Sequence, residues 1–377
     1  MSVLNGIRIL DFGRVLSAPY GTMVLADLGA DVVKVEHPDH GDDTRSFGPP
    51  FVNGISTYFL SINRGKRSVC FDLKNQAEKA KVKSLALSAD VIVENFRSGV
   101  MKRLGLDAAT LLEEKPELIY CSLTGFGRDE TERAGYDLMM QGLSGIPSIT
   151  GPTDGEPYKC GASIADLVAG MNLVQGILAA LYRRERTGKG GIVDVSMMDG
   201  MLSLLTYHAS AFWNAGVAPQ KMGNAHPSIH PFQPYRCQDG FLTICIGNDD
   251  LFARLCDVLE HSEWKNDPRF KSNPSRVAHR EELDAFLEPI FVQETRFFWK
   301  ERLVNVGIPA DVVSSIPEAL NLTEAVTHQH PNGGTVVRSL RLPFQIDNLP
   351  TATERRAPKL GEHKKEILGE WLNLWEM

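Results

Sequence analysis

Short apolar runs that read as strands alternate with amphipathic segments through the first 200 residues, and this alternation limits the fold more than any other feature. IRILDFG predicts a strand, SAPYGTMVLADLG a helix ending at Gly29 and DVVKVEH the next strand, together one βαβ unit. DVIVENF predicts another strand before a basic turn and MKRLGL, ELIYCSLTGFG a later strand, and GGIVDVSMMDGMLSLLTYHASAFW a strand followed by a helix. Strands that alternate with helices imply an α/β fold with a parallel sheet of doubly wound type. No G-x-G-x-x-G follows the first strand, so a nucleotide site of the dinucleotide kind is not expected. After residue 215 the texture changes. GNAHPSIHPFQPYRCQDG is rich in turn formers, DGFLTICIGN predicts a strand, and DDLFARLCDVLE, REELDAFLEPIFVQ and RFFWKERLVNVG predict amphipathic helices. Residues 221–315 therefore read as a smaller α/β domain, after which the chain returns through GGTVVRSLRLP and a proline-bearing segment to a terminal helix.

The chemistry points to one carboxylate. In GYDLMMQGLSGIPSITG and GASIADLVAGMNLVQGILAALYRR, Asp166 is the only acidic residue between Glu156 and Glu185, and it stands where an apolar helix begins behind two glycine-rich turns. Free N–H groups and the dipole at a helix N-terminus favour a charged carboxylate, which would stay anionic and nucleophilic even when partly desolvated. Taken by itself, the segment reads more plainly as a helix carrying an N-terminal charge or cap.

Other classes of function find little support. The net charge of −7, with no basic tail, argues against general nucleic-acid affinity. MSVLNGIRILDF has no charged region followed by an apolar one, so no signal peptide is read and the expected location is the cytoplasm. No apolar run is read as a membrane span, because Asn172 and Gln175 interrupt the segment after Asp166. The six cysteines form no C-x-x-C pair and read as reduced thiols. His226 and His230 are separated by Pro227, which disfavours a helical metal pair, so no metal is expected. No G-x-S-x-G elbow is present.

Several motifs in order carry a resemblance. DFGRVLSAP (11–19), LGADVVKVEHP (28–38), NRGKRSVCFDLK (63–74), VENFRSG (93–99), AGYD (134–137) and GASIADLVAG (161–170) resemble those of the class III CoA-transferases, the family that includes formyl-CoA transferase. The resemblance runs over nearly the whole chain. It implies that residues 1–220 and 316–377 together form one large CoA-binding domain and that two subunits interlock as a homodimer. Asp166 would be the nucleophile. Val15, Leu16 and Ser17 would form the turn that meets CoA; Phe71, Asp72, Leu73 and Lys74, with Asn95, Phe96 and Arg97, would line its nucleotide. Arg103 would pair with phosphate, Tyr136 and Asp137 would flank the active site, and Met197 would lie beside the adenine. Singly, each of these contacts reads more plainly as core or solvated surface; together, in this order and spacing, they favour the functional reading.

The implied reaction is covalent catalysis with acyl-CoA and small carboxylic acids as substrates, with no permanently bound cofactor and neither nucleic acid nor membrane as partner. Two departures from formyl-CoA transferase bear on substrate. MGNAHPSIHPFQPY stands where that enzyme has a run of glycines, which fits relatives using succinyl-CoA or another dicarboxylyl-CoA and makes His226 a candidate contact for an acceptor carboxylate. GIPADVV (307–313) lacks the Gly-Pro pair of many relatives. His37 stands where formyl-CoA transferase has a CoA-contacting arginine, so phosphate binding there should be weaker or different. Two alternatives remain open at this point: an α-methylacyl-CoA racemase-like enzyme, which would need a histidine base where this chain has Tyr136, and a non-catalytic CoA-binding accessory protein.

Overall fold

The computed structural model describes residues 2–128, 133–347, 349 and 351–374. It divides into two compact units, one made of residues 1–146, 159–216 and 324–377, the other of 147–158 and 217–323.

The first unit is built on six parallel strands: β1 (Arg8–Asp11), β2 (Asp31–Glu36), β3 (Arg67–Cys70), β4 (Val91–Glu94), β5 (Ile119–Thr124) and β6 (Gly191–Ser196). They lie in the order β3-β2-β1-β4-β5-β6, so the chain winds outward from β1 in one direction and then from β4 in the other. The crevice beyond the carboxyl ends of β1 and β4 is the switch point at which sheets of this order take ligands. Both faces of the sheet's central part are covered, which is why β1, β4 and β5 are largely apolar instead of alternating with polar residues. On one face Ile9, Val32, Val91 and Ile119 pack against α1 (Ser17–Asp27) and the long helix α4 (Ile164–Thr187). On the other, Leu10, Val33, Val69 and Ile92 pack with α2 (Gln76–Ser88) and the terminal helix α5 (Lys364–Leu372).

Helices α1 and α4 cross backbone to backbone. A Cβ built on Gly170 would stand 2.6 Å from the Ser17 carbonyl oxygen and 2.9 Å from the Tyr20 ring, and one on Gly21 would stand 2.8 Å from the Gly170 carbonyl oxygen. Only two glycines allow this approach, and Gly170 lies one helical turn beyond Asp166, so the crossing holds Ser17 against the carboxylate. Gly170→Ala is therefore expected to cost about 1–3 kcal/mol through overpacking, read as a lower urea midpoint at constant slope. A midpoint equal to that of the wild type would show that the helices separate freely.

By length and composition α4 would reach across a membrane, contrary to the sequence reading. Its Ala165, Ala169, Leu173 and Ile177 are buried in the sheet core, the position of an internal helix in an α/β unit. The strand β3 was not read from the sequence, because Arg67 and Ser68 face polar partners from the chain's end instead of the core.

In the second unit Phe232–Cys237, Gly240–Cys245 and Ala310–Val312 form an antiparallel sheet with Gly240–Cys245 in the middle. Phe232–Cys237 corrects the reading of that stretch as turn; its Pro234 is tolerated because the strand is at an edge. The helices Asp249–Val258, Arg280–Phe291 and Arg296–Asn305 form as expected and bury Phe252, Leu287, Phe291 and Trp299 over this sheet.

Candidate active site

The turn after β1 is held by buried charges. Asp11 accepts hydrogen bonds from the Gly13 N–H (2.7 Å) and the Thr22 hydroxyl (2.7 Å) and pairs with Lys66 (3.1 Å). Lys34, fully enclosed, donates to the Gly13 carbonyl (2.5 Å) and pairs with Asp42 (2.8 Å). Burial and the positive charge of Lys34 leave Lys66 with a pKa lowered to about 8, against which Asp11 pulls. From the neighbouring strand end Asn95 brackets Arg14, accepting from its N–H and donating to its carbonyl, both at 2.8 Å. Val15 is thereby fixed at φ 64°, a left-handed conformation that a β-branched residue adopts only under constraint. The next residues are Leu16 and Ser17, both buried, with Ser17 opening α1.

A second set of residues builds the start of α4. Asp137 accepts from the Ala165 N–H (2.9 Å) and from the Gln141 amide (2.8 Å), while the Gln141 carbonyl oxygen accepts from the Cys160 N–H (2.8 Å). These bonds satisfy a free N–H of the first turn and fix the glycine-rich approach to it. Asp166 is the third residue of the helix, half-buried, and takes a hydrogen bond from the Ser17 hydroxyl. Its pKa is raised to about 6 by burial first and by the charge of Asp137 second, with Ser17 opposing. The carboxylate is thus harder to ionise than a free one, yet it stays mostly charged at neutral pH. Tyr58 is pushed up to about 12 by burial and by the charges of Asp166, Asp137 and Asp42, so its hydroxyl keeps its proton in the field of the carboxylates. Its ring meets that of Phe47 edge to face at 5.6 Å.

This arrangement can present one half-buried carboxylate that is mostly ionised at neutral pH, against the turn after β1 and in the field of a neutral hydroxyl, Tyr58. The model of CoA-transferase family III matches residues 4–364. The chain belongs to that family. It is 39% identical to the succinate–glutarate CoA-transferase of Agrobacterium fabrum, covering 97% of this chain and 95% of the relative. It is 41% identical to the acetyl-CoA:oxalate CoA-transferase of Acetobacter aceti, covering 97% and 95%. A crystal structure of a CAIB/BAIF family protein from Brucella suis superposes with a TM-score of 0.86 at 39% identity, covering 98% of this chain and 99% of that one.

Within this family III transferase, Val15, Leu16, Ser17, Asn95, Asp137 and Asp166 occupy connected turns of the first unit. Tyr136 precedes α3 (Asp137–Leu143) and is 60% exposed. Phe71 and Met197 have their side chains in the cores, which leaves their backbones and neighbours for any ligand. Asp72 accepts from the Lys74 N–H at 2.9 Å, shaping the turn in which Leu73 is half-buried and Lys74 exposed. Phe96 leans on the core while Arg97 and Arg103 are exposed. His37 is exposed, stacked on His40 with ring centres 4.2 Å apart. His226 belongs to the second unit, where its Nδ1 accepts from the Ser228 N–H at 3.1 Å. Sequence reasoning missed Tyr58, Gln141 and the Lys34–Asp42 pair. Nothing in their spacing marks them, because their roles depend on burial and on neighbours that only the folded chain supplies.

The raised pKa has a kinetic consequence. If the ionised Asp166 attacks, the single-turnover acylation rate rises about tenfold per pH unit up to about pH 6 and is flat above it. Asp137→Asn keeps the acceptor for the Ala165 N–H but removes the like charge, so the inflection moves to lower pH. Quenched-flow rates between pH 4.5 and 8 test this, and an inflection unmoved by the substitution would refute the coupling.

Proposed function

We propose that this family III enzyme transfers CoA from succinyl-CoA or another dicarboxylyl-CoA to a carboxylate acceptor, with Asp166 as the covalent carrier. The observation that carries the reading is the Asp166 carboxylate itself, desolvated at the start of α4 and bonded by Ser17 of the crevice turn. The names of the two relatives, which act on succinate and glutarate or on oxalate, favour dicarboxylates.

In the first step an Asp166 oxygen attacks the donor thioester carbonyl, forming a mixed anhydride and expelling CoA thiolate. The thiolate attacks the Asp166 carbonyl of that anhydride; the donor leaves as a carboxylate and an aspartyl-CoA thioester remains. The acceptor carboxylate then attacks this thioester, regenerating thiolate and a second anhydride. Thiolate attack on the acceptor side releases the new acyl-CoA and restores Asp166. Each step builds negative charge on a carbonyl oxygen, for which the protonated Tyr58 and the backbone N–H groups of the glycine-rich turns are the donors. Thioester energy is kept throughout, so neither ATP nor metal takes part. The working form is a homodimer; Tyr207, Phe212 and Trp213 of the helix Thr206–Ala215 expose apolar surface suited to a second copy.

The test is incubation with succinyl-CoA and a panel of dicarboxylates, followed by mass spectrometry of the thioesters and of the intact protein. New acyl-CoA species together with a CoA adduct on the peptide holding Asp166 are expected. Absence of both with every acceptor would reject the proposal.

A further inference from the structure

Lys66 is a buried cation that the transfer cycle leaves without a task. It stands directly before β3 and is fully enclosed, as are Asp11, Thr22 and Asn63 around it. Its ammonium has three N–H donors, and each meets a different acceptor: Asp11 at the end of β1 (3.1 Å), the Pro19 carbonyl in the first turn of α1 (2.9 Å) and the side-chain oxygen of Asn63 (3.0 Å). Asn63 closes the helix Thr57–Ile62, where its amide donates in turn to the Phe59 carbonyl at 3.0 Å. One nitrogen thus joins three elements. Two of them carry groups of the site: α1 opens with Ser17, and the helix Thr57–Ile62 holds Tyr58, whose hydroxyl stands in the field of Asp166.

Burying an ammonium is costly, and three hydrogen bonds with one counter-charge offset it only in part. The result is visible in Lys66 itself, whose pKa is lowered to about 8, by burial first, against the pull of Asp11. The other charges that face it are Lys34 of β2, which acts in the same direction as burial, and Asp42, which opposes it; Asp27 of α1 is taken by Arg64 at 2.5 Å. A lysine kept charged below its ordinary pKa weakens the fold, which points to a use in placing its neighbours.

We propose that Lys66 is a positioning residue for the transfer reaction: by fixing α1 and the helix Thr57–Ile62 to one point it sets Ser17 and Tyr58 against Asp166. This rests on the reading of Asp166 as covalent carrier. Only the ammonium has three donors; the neutral amine has two N–H groups and must release one of its three acceptors. As the proton leaves, the junction loosens and acylation slows, which ends on the alkaline side the plateau that Asp166 alone leaves flat. The fold does not weaken in step. Where the folded pKa lies below the unfolded one, the unfolded chain binds more protons between the two values, so this titration raises stability as pH rises.

The donor half-reaction with succinyl-CoA tests this, read as the rate of CoA adduct formation by quenched flow and intact mass between pH 6.5 and 9.5, with circular dichroism following the fold. In the wild type the rate is expected to hold to about pH 7.5 and to fall about tenfold by pH 9.5, with its inflection near pH 8, while the protein stays folded. Lys66→Met should be slower roughly 10- to 100-fold at pH 7, the scale on which a small misplacement of reacting groups acts, and should show no alkaline inflection. Asn63→Asp keeps the acceptor and adds a negative charge beside the ammonium, so it should move the inflection to higher pH. This profile and that of the wild type decide the matter where Lys66→Met does not fold. A Lys66→Met rate within twofold of wild type, a wild-type rate level to pH 9.5, or an inflection that Asn63→Asp leaves in place would each overturn the proposal and make Lys66 a purely structural ion. A wild-type protein that forms no CoA adduct at any pH would instead bring down the reading of Asp166 on which it rests.

Discussion

Asp166→Ala is expected to bind CoA as the wild type does and to lose transfer by roughly 10⁴-fold or more, the scale on which removal of a covalent nucleophile acts. The oxygen balance of the proposed cycle makes a sharper form of this prediction. When CoA thiolate attacks the acceptor side of the second anhydride, the bridging oxygen stays on Asp166, and that oxygen came from the acceptor. In the next turnover it departs with the donor acid whenever it, and not the other Asp166 oxygen, makes the attack. An acceptor carrying ¹⁸O in its carboxylate should therefore leave one heavy oxygen on Asp166 after a single turnover, and the label should then appear in the released donor acid. An enzyme that used Asp166 as a base would take no label. Peptide mass spectrometry after one turnover distinguishes the two, and unlabelled Asp166 with active transfer would reject the covalent route.

Lys34→Met should unfold the protein more readily by about 3–5 kcal/mol, because it leaves a buried carboxylate without its counter-charge. Lys34 is 1% exposed and Asp42 2% exposed, with Asp11 and Glu36 adding to the negative field. Burial works against the Asp42 charge, but Lys34 and the Thr44 hydrogen bonds outweigh it and lower its pKa to about 2. A depressed carboxylate pKa gives stability that is present above the unfolded value of about 4 and lost as pH falls toward 2. In the variant the same carboxyl loses its cation and its pKa rises, so acidification relieves the strain. The stability gap between wild type and variant should accordingly narrow between pH 7 and pH 4. Urea unfolding at several pH values measures it, and a gap below about 1 kcal/mol, or one independent of pH, would show that Asp42 finds another partner. Because Asp42 also accepts from the Val15 N–H at 3.3 Å, loss of the pair should loosen the CoA turn as well.

The parts of the fold that could be read from the sequence are those whose signal is local. Strands β1, β2, β4 and β5 are apolar because both sheet faces are covered, and the helices between them carry their own periodicity. Asp166 was legible for a related reason, as a lone charge ahead of an apolar helix. Strand β3 was not, since Arg67 satisfies Asp31, Glu366 and Glu370, partners up to 303 residues away. Phe232–Cys237 was hidden by Pro234, whose tolerance depends on being at an edge that only the assembled sheet defines. The direction of the Asp166 pKa shift was also out of reach. It follows from burial and from Asp137, 29 positions earlier, neither of which the local sequence around Asp166 displays.

The end of the chain returns to the beginning. His363 donates its N–H to the Ser68 carbonyl at 2.9 Å, Gly361 to the Ser68 hydroxyl at 2.9 Å, and Trp371 bonds Asp31 at 3.0 Å, so the exposed side of β3 is covered by a segment far along the chain. During synthesis that edge leaves the ribosome long before its cover. At 5–20 residues per second the interval is about 15–60 s. Throughout it, the nascent sheet presents unpaired backbone on one flank, the condition under which strands join the wrong neighbour. Completion of this sheet edge therefore waits on a segment made 293 positions later, and the arrival of that segment, more than the local strength of any early element, sets when β3 is covered.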